Sequence, residues 1–299
     1  MDFPSLGTEA RIWQFDGTAF RLTMGLRALA PEDWIQLDRT YADLMLERRR
    51  LLAERRGDVT ALLPEGRAAA MELLDRLAAH LVARFPDLFV RAGTFLHNRL
   101  SGESIDLDGV DHPLERVGRL VPEDFCLMES CEGGWRLTGA VLCFPNRWRL
   151  GEKLGRKLPG IHAPVPGYDS RLAGPVDRFF DSLKDGRGVW RTNWSLNDRP
   201  DLFQPDETAH MPADAAITPD NAGERLFLRI ERQTLQHLPR SGAIAFGIRT
   251  YQRPLAMLTA EEAGQFAALL RSIPDDTARY KGLKRTAPPA LAFLDRLAG

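Results

Sequence analysis

His162 is the residue whose setting most favours metal chemistry. It lies in the segment GIHAPVPGY (residues 160–168), where Pro164 and Pro166 restrict the backbone. A stiff backbone helps to aim an imidazole at a metal, and neutral imidazole is a common axial ligand of haem iron. The alternative is a loop histidine whose ring hydrogen-bonds to the backbone. His97 is the second candidate for a metal ligand.

A second group of candidates lies in VWRTNWSL (residues 189–196), whose β-branched and aromatic residues predict a strand. Because side chains alternate along a strand, Trp190 and Trp194 share one face, and Arg191 and Asn193 share the other. The tryptophans could wall an apolar cofactor or pack in the core. Arg191 and Asn193 could donate hydrogen bonds to bound oxygen or to a cofactor carboxylate.

Four arginines follow in a predicted hairpin: Arg229, Arg232, Arg240 and Arg249. Alternation places Arg229 beside Glu231 on one face, which favours a ladder of surface charges. The other interpretation is a clamp for a phosphate or a haem propionate, because a guanidinium group can bind either anion through two hydrogen bonds.

These candidates lie among alternating helix and strand patterns. Helical periodicity runs from Pro31 to Arg56 and resumes after Pro64. Strands are predicted at 125–128, 135–144 and 189–196 and on both sides of a turn at 238–242, and helices at 149–157, 175–186 and 261–270. The order predicts an α+β domain with one five-stranded sheet, a helical insert over one face, and a ligand pocket between them. The long polar loop at 197–222 could be a lid or a docking surface.

Composition and charge exclude several classes of protein. The 299 residues include 40 lysines and arginines against 41 aspartates and glutamates, and a pI near 6.6 gives no reason to expect nucleic acid. No apolar run is long enough to span a membrane and no signal-peptide pattern is present, so we expect a cytoplasmic protein. Cys126, Cys131 and Cys143 lack zinc-site spacing and are predicted to be free thiols. No P-loop, dinucleotide-binding or hydrolase motif occurs.

A series of sequence blocks carries a family resemblance. The blocks are EDFCLMES, GGWRLTGAVLCFPNRWRLGEKLG, IHAPVPGY, PVDRFF, VWRTNWSL, GERLFLRIERQTL and LPRSGAIAFGIRTY. Through them the chain, from about Pro31 to Leu258, resembles the haem-dependent oxidative N-demethylase family, whose members are similar to the haem-binding alpha subunit of dimethylamine monooxygenase. The resemblance implies a PAS-like fold, an antiparallel sheet with covering helices. We therefore expect an N-terminal helical extension at 1–86, a haem-binding core at 87–258 and a C-terminal helical tail at 259–299.

The resemblance also implies an oxygenase component. It would bind haem b through His162, use O2, and remove a methyl group as formaldehyde from a small methylated amine such as dimethylamine. Electrons would come from NADPH through FMN and an iron–sulfur centre on a separate reductase partner, in a hetero-oligomer. This chain offers neither a dinucleotide-binding fingerprint nor a four-cysteine cluster for that purpose.

Roles for the other candidates follow from their chemistry. The candidate catalytic residues, chosen as hydrogen-bond donors, are Arg191, Asn193 and Tyr168. The candidate haem-binding residues are His162, Trp190, Trp194 and Arg229. A protonated amine would need a carboxylate or an aromatic face nearby, and the sequence leaves four residues open for this role: Tyr168, Asp177, Trp190 and Glu231.

Two other functions stay open. A PAS-like haem domain can sense a gas or a redox change without catalysis, since a fold does not determine a function. A sensor would normally be joined to an output domain, and the sequence offers none. A haem-free binding or assembly protein could also keep this fold, and it would lack a Soret band in haem-replete protein.

Overall fold

The computed structural model describes residue Ile12 and residues 19–110, 112–206 and 210–299. These residues form a seven-stranded antiparallel sheet and a separate three-stranded antiparallel sheet, with helices packed around them. The predicted α+β class is therefore confirmed. No helix within the described ranges is both long and apolar enough to cross a lipid bilayer.

The strands, in chain order, are β1 (Arg27–Ala28), β2 (Thr60–Leu62), β3 (Phe89–Ala92), β4 (Phe95–Asn98), β5 (Glu103–Asp106), β6 (Asp124–Cys131), β7 (Gly134–Val141), β8 (Val189–Asn197), β9 (Phe227–His237) and β10 (Ile244–Pro254). The main sheet has the order β1–β8–β9–β10–β6–β7–β2, and β3–β5 form the small sheet. The five predicted strands correspond to β6–β10. The predicted number is wrong because β1 and β2, from the region before residue 87, add short edge strands beside β8 and β7.

The helices are α1 (Tyr41–Glu54), α2 (Arg56–Val59), α3 (Arg67–Arg84), α4 (Pro113–Leu120), α5 (Leu150–Lys153), α6 (Leu158–His162), α7 (Ala173–Ser182), α8 (Ala222–Arg225), α9 (Ala260–Arg271), α10 (Asp275–Tyr280) and α11 (Leu283–Ala298). The continuous helix expected from Pro31 is wrong. A 3-10 turn at Pro31–Asp33 is followed by non-helical residues, and α1 begins only at Tyr41. Tertiary hydrogen bonds stabilise this break in the helix, because Arg232 donates to the carbonyl groups of Asp33 and Trp34.

The main sheet has two faces that different parts of the chain cover. We call one the insert face, because residues 145–187, the insert, pack on it through α5, α6 and α7. It carries Cys126, Met128, Leu235 and Ile244. The opposite face packs against α1, α3 and α4 on one side and against α9 and α11 on the other. It carries Phe125, Leu127, Leu228 and Ile230.

Gly247, in the middle of β10, lets the neighbouring strands pack closely. A Cβ atom at this position would lie 2.6 Å from Thr234 Oγ1 and 2.9 Å from Phe125 Cε1. We expect Gly247→Ala to lower the free energy of unfolding by about 1–3 kcal/mol, because an added methyl group in a packed site forces its neighbours apart. Urea unfolding would measure the loss. Gly57→Ala in α2, where nothing lies within 4 Å of the added carbon, is the control and should not destabilise the protein.

Candidate functional site

The imidazole of His162 is held in one tautomer. His162 is the last residue of α6 and lies in a helical turn rather than the predicted loop, with Pro159 in the first turn of that helix. Its Nδ1 lies 2.9 Å from the Leu158 carbonyl oxygen, so Nδ1 carries the proton and donates it. The lone pair is then on Nε2, which has no hydrogen-bond partner in the described part of the chain. Burial lowers the pKa of His162 to about 4, which leaves the ring neutral at pH 7.

Tyr168 supports this imidazole from one side. The two rings are stacked, with centroids 4.4 Å apart and planes inclined by 11°. The Tyr168 hydroxyl group and Asp177 Oδ1 are both buried, and neither has a hydrogen-bond partner among the residues that the structure describes. Burial, together with the charges of Asp177 and Asp169, raises the pKa of Tyr168 to about 12. The phenol therefore keeps its proton and can donate it to a ligand.

A strip of polar side chains crosses the insert face on β8 and β9. Register pairs Arg191 with Gln233 and Asn193 with Glu231. Asn193 Nδ2 donates to Glu231 Oε2 over 3.4 Å, and Gln233 Nε2 donates to the same oxygen over 3.0 Å. Arg191 Nε is buried and has no partner within the described ranges. The predicted grouping of Arg191 and Asn193 on one face is present.

Cations surround the carboxylate of Glu231. Arg229 Nε lies 4.0 Å from Glu231 Oε1, and Arg191, Lys153 and Lys281 all interact electrostatically with Glu231. Burial lowers the pKa of Lys153 and Arg191, because removing these cations from water disfavours their charged forms. An anionic ligand would offset this excess of positive charge.

The chain also matches a known protein family over most of its length. A family model described as haem-dependent oxidative N-demethylase, alpha subunit-like, matches residues 25–291. The chain belongs to this family. The match confirms the resemblance, and it extends past Leu258 through α9 and α10 into α11. The family match therefore includes α9, α10 and part of α11.

Not all the candidates lie on the same side of the main sheet. Trp190 and Trp194 are on the opposite face, so the sheet separates them from His162. The Trp190 ring lies 5.3 Å from the guanidinium carbons of both Arg27 and Arg232. The Trp194 ring packs edge-on against Phe266, with centroids 5.3 Å apart. These contacts are those of core packing, which is the alternative interpretation of the two tryptophans.

Neither interpretation of the hairpin arginines describes Arg229. A surface ladder is wrong because Arg229, Arg232 and Arg249 are at most 1% exposed. A clamp for a ligand does not fit Arg229 either, because its Nη2 donates to the Phe144 carbonyl group over 2.5 Å and its Nη1 to the Leu202 carbonyl group over 3.0 Å. Arg229 therefore ties β9 to the segment just before the insert and to the long loop.

The second histidine candidate lies away from the polar strip, whereas the long loop reaches it at Arg229, through the Leu202 carbonyl group. His97 is on β4 in the small sheet, where its Nδ1 lies 2.6 Å from Ser104 Oγ. The beginning of the loop at 197–222 is anchored, since Gln204 is buried and pairs with Asn146 in a short parallel bridge. Together with residues 145–152, this part of the loop lines a surface cleft of about 370 Å³.

The positions of two lysines near Glu231 could not be predicted from the sequence. Lys153 ends α5 in the insert, and Lys281 lies in the turn between α10 and α11. Neither belongs to a spacing pattern that a strand or a helix would reveal. Only the packing of the insert and of the C-terminal helices brings them to the polar strip.

Proposed function

We propose that this protein is the haem-binding oxygenase component of an oxidative N-demethylase that acts on a small methylated amine. The observation that carries the proposal is the His162 imidazole, which is neutral and has an unpartnered Nε2 in a chain from a family described as haem-dependent. The sheet and the insert would form a PAS-like cradle for the cofactor. His162 rather than His97 would be its ligand.

The residues around His162 fit a haem group. Histidines that bind metals usually donate their second ring nitrogen to a carbonyl or carboxylate group, as His162 does to Leu158. The excess positive charge of Arg191 and Lys153 suits the two propionates of haem b. Partly exposed apolar side chains beside the insert-face core, including Ile161 and Phe246, suit the porphyrin.

Each residue would have a separate task. When bound, haem would supply the iron at which O2 is reduced, with electrons delivered by a reductase partner that carries the NADPH, FMN and iron–sulfur chemistry. His162 would hold the iron through Nε2, and Tyr168 would orient the imidazole by stacking on it. Arg191 would donate hydrogen bonds to an anionic group. With the haem propionates offsetting the charges of Arg191 and Lys153, Glu231, which Asn193 and Gln233 hold in place, would bind the protonated amine.

Amine-dependent turnover separates this proposal from its alternatives. Haem-replete protein would be supplied with a reductant, O2 and dimethylamine, and formaldehyde would be measured. We expect a Soret band and formaldehyde that depends on the amine. A Soret band that responds to gases without formaldehyde formation would favour a haem sensor. Absence of the band would favour a haem-free binding or assembly protein.

Removing the charge of Glu231 should weaken amine binding selectively. We expect Glu231→Gln to raise the Kd of dimethylamine about thirtyfold, because a hydrogen bond to a charged group is lost while the size of the side chain is kept. Optical titration of the haem band would measure the Kd. Acetone, a neutral molecule of similar size, should bind both proteins equally, and Glu132→Gln in the exposed β6–β7 turn should bind the amine normally. Equal amine affinity in Glu231→Gln would exclude Glu231 as the amine site.

A further inference from the structure

Lys281 reaches the outer edge of β8 from the turn between α10 and α11. Its Nζ donates to the Trp194 carbonyl group over 2.7 Å and to Asn193 Oδ1 over 3.3 Å, and it lies 4.7 Å from the centroid of the Trp194 ring. Among the residues that the structure describes, only β1 pairs with β8 on this side, at Val189 and Trp190, so no described strand covers the edge at Trp194. The ammonium group thus satisfies a strand carbonyl group that no strand in the described ranges reaches.

Arg147, at the beginning of the insert, fixes the turn that carries Lys281. Its Nη1 donates to the Lys281 carbonyl group over 2.5 Å, and its Nη2 donates to the Leu196 carbonyl group over 3.1 Å. Arg147 has a φ of 62°, an unfavourable backbone conformation for a residue other than glycine. The insert, β8 and the C-terminal turn are therefore joined at one point, and this joint sets the position of Lys281.

The contacts of Lys281 determine the orientation of the Asn193 amide. An ammonium group can only donate, so it requires the Oδ1 side of the amide. Nδ2 of Asn193 must then point the other way, where it donates to Glu231 Oε2 over 3.4 Å. If the amide turned over, its oxygen would face the carboxylate and repel it. Lys281, Asn193 and Glu231 therefore form a chain in which each group orients the next.

We propose that Lys281 is a positioning residue that, through Asn193, holds the Glu231 carboxylate in the orientation that receives the amine. This inference rests on the proposed function, since it takes Glu231 as the amine site. It gives the C-terminal helices a part in substrate binding, although they pack on the opposite face of the sheet. The region predicted only as a helical tail would then supply part of the site.

The charge of Lys281 makes the chain of contacts sensitive to pH. Burial lowers the pKa of Lys281 to about 8, and the charged groups that face it are Glu231 on β9, Arg147 on the insert and Arg191 on β8. Below this pKa the ammonium form can only donate, and it fixes the Asn193 amide; above it the neutral amine can also accept a hydrogen bond, so it no longer requires the Oδ1 side of the amide. Affinity for dimethylamine should fall as the pH rises from 7 to 9, although a dialkylammonium ion stays protonated throughout that range.

The test uses the haem-loaded full chain with dimethylammonium and acetone as probes. Optical titrations at pH 7 and pH 9 would compare the wild type with Lys281→Met, Asn193→Ala and the double variant. We expect Lys281→Met to bind dimethylammonium about tenfold more weakly at pH 7, to lose the pH dependence, and to bind acetone normally. The double variant should bind no more weakly than Asn193→Ala, because Lys281 acts through Asn193.

The outcomes separate this inference from the function on which it rests. Wild-type affinity in Lys281→Met, or additive losses in the double variant, would overturn the role of Lys281 alone. If Lys281→Met does not retain haem, the wild-type titrations decide, and equal amine affinity at pH 7 and pH 9 overturns the inference. A haem-loaded wild type that never responds to dimethylammonium would overturn the amine function, and the inference with it.

Discussion

His162→Ala should abolish the Soret band that the wild-type protein shows after expression with ample haem. The imidazole Nε2 would be the protein's bond to iron, and alanine offers no replacement ligand. Mutation of a group that only hydrogen-bonds to a metal-bound histidine lowers metal affinity by about 10–100-fold. Loss of the ligand itself should therefore lower haem affinity by at least about a hundredfold. Absorption spectra of the two proteins, followed by haem transfer to an apo-globin, would measure the loss.

Two variants control this result. His97→Ala removes a histidine from the small sheet, where its ring contacts Ser104, and should leave the band unchanged. His162→Gly with added imidazole should regain the band, because the free ligand can enter the space left by the side chain. A Soret band that persists unchanged in His162→Ala would place the iron ligand on another residue and remove the main support for the proposed site.

The central strands of the fold are visible in the sequence because each is long and patterned. β9 and β10 span 11 residues each, alternate clearly and meet at a turn with glycine. Strands β1 and β2 have two and three residues, which is too short for a period to emerge. The interruption before α1 is also hidden, because its hydrogen bonds come from Arg232, about two hundred residues away.

The site is predictable only as far as local geometry determines it. Strand alternation correctly groups Arg191 with Asn193, and proline-rich sequence draws attention to His162. The alternation of Arg229 and Glu231 suggests a solvated surface, but the insert and the long loop cover this face, and burial reverses the interpretation. Lys281 approaches from a turn 88 residues from Asn193, and no period in the sequence links the two.

Asp124→Asn is expected to produce the largest loss of stability. Asp124 and Arg48 are both fully buried, with Arg48 Nη1 2.5 Å from Asp124 Oδ1. The carboxylate also accepts from the backbone N–H groups of Cys143 and Phe144, over 2.7 Å and 2.8 Å, and so fixes the chain just before the insert. Asparagine would leave the Arg48 charge uncompensated and turn an amide N–H toward a backbone donor. We expect the free energy of unfolding to fall by about 3–5 kcal/mol.

Urea unfolding of three further variants would attribute this loss to the buried pair. Arg50→Ala on the same helix removes an exposed arginine that pairs with Glu47 and Glu54, and should leave the unfolding midpoint unchanged because water screens such pairs. Arg48→Met alone should destabilise strongly, and Arg48→Met with Asp124→Asn should lose less than the sum of the two single variants, since no uncompensated charge remains. Strict additivity would mean that each residue stabilises the protein through its own backbone contacts, and that the ion pair adds little to the attachment of the insert.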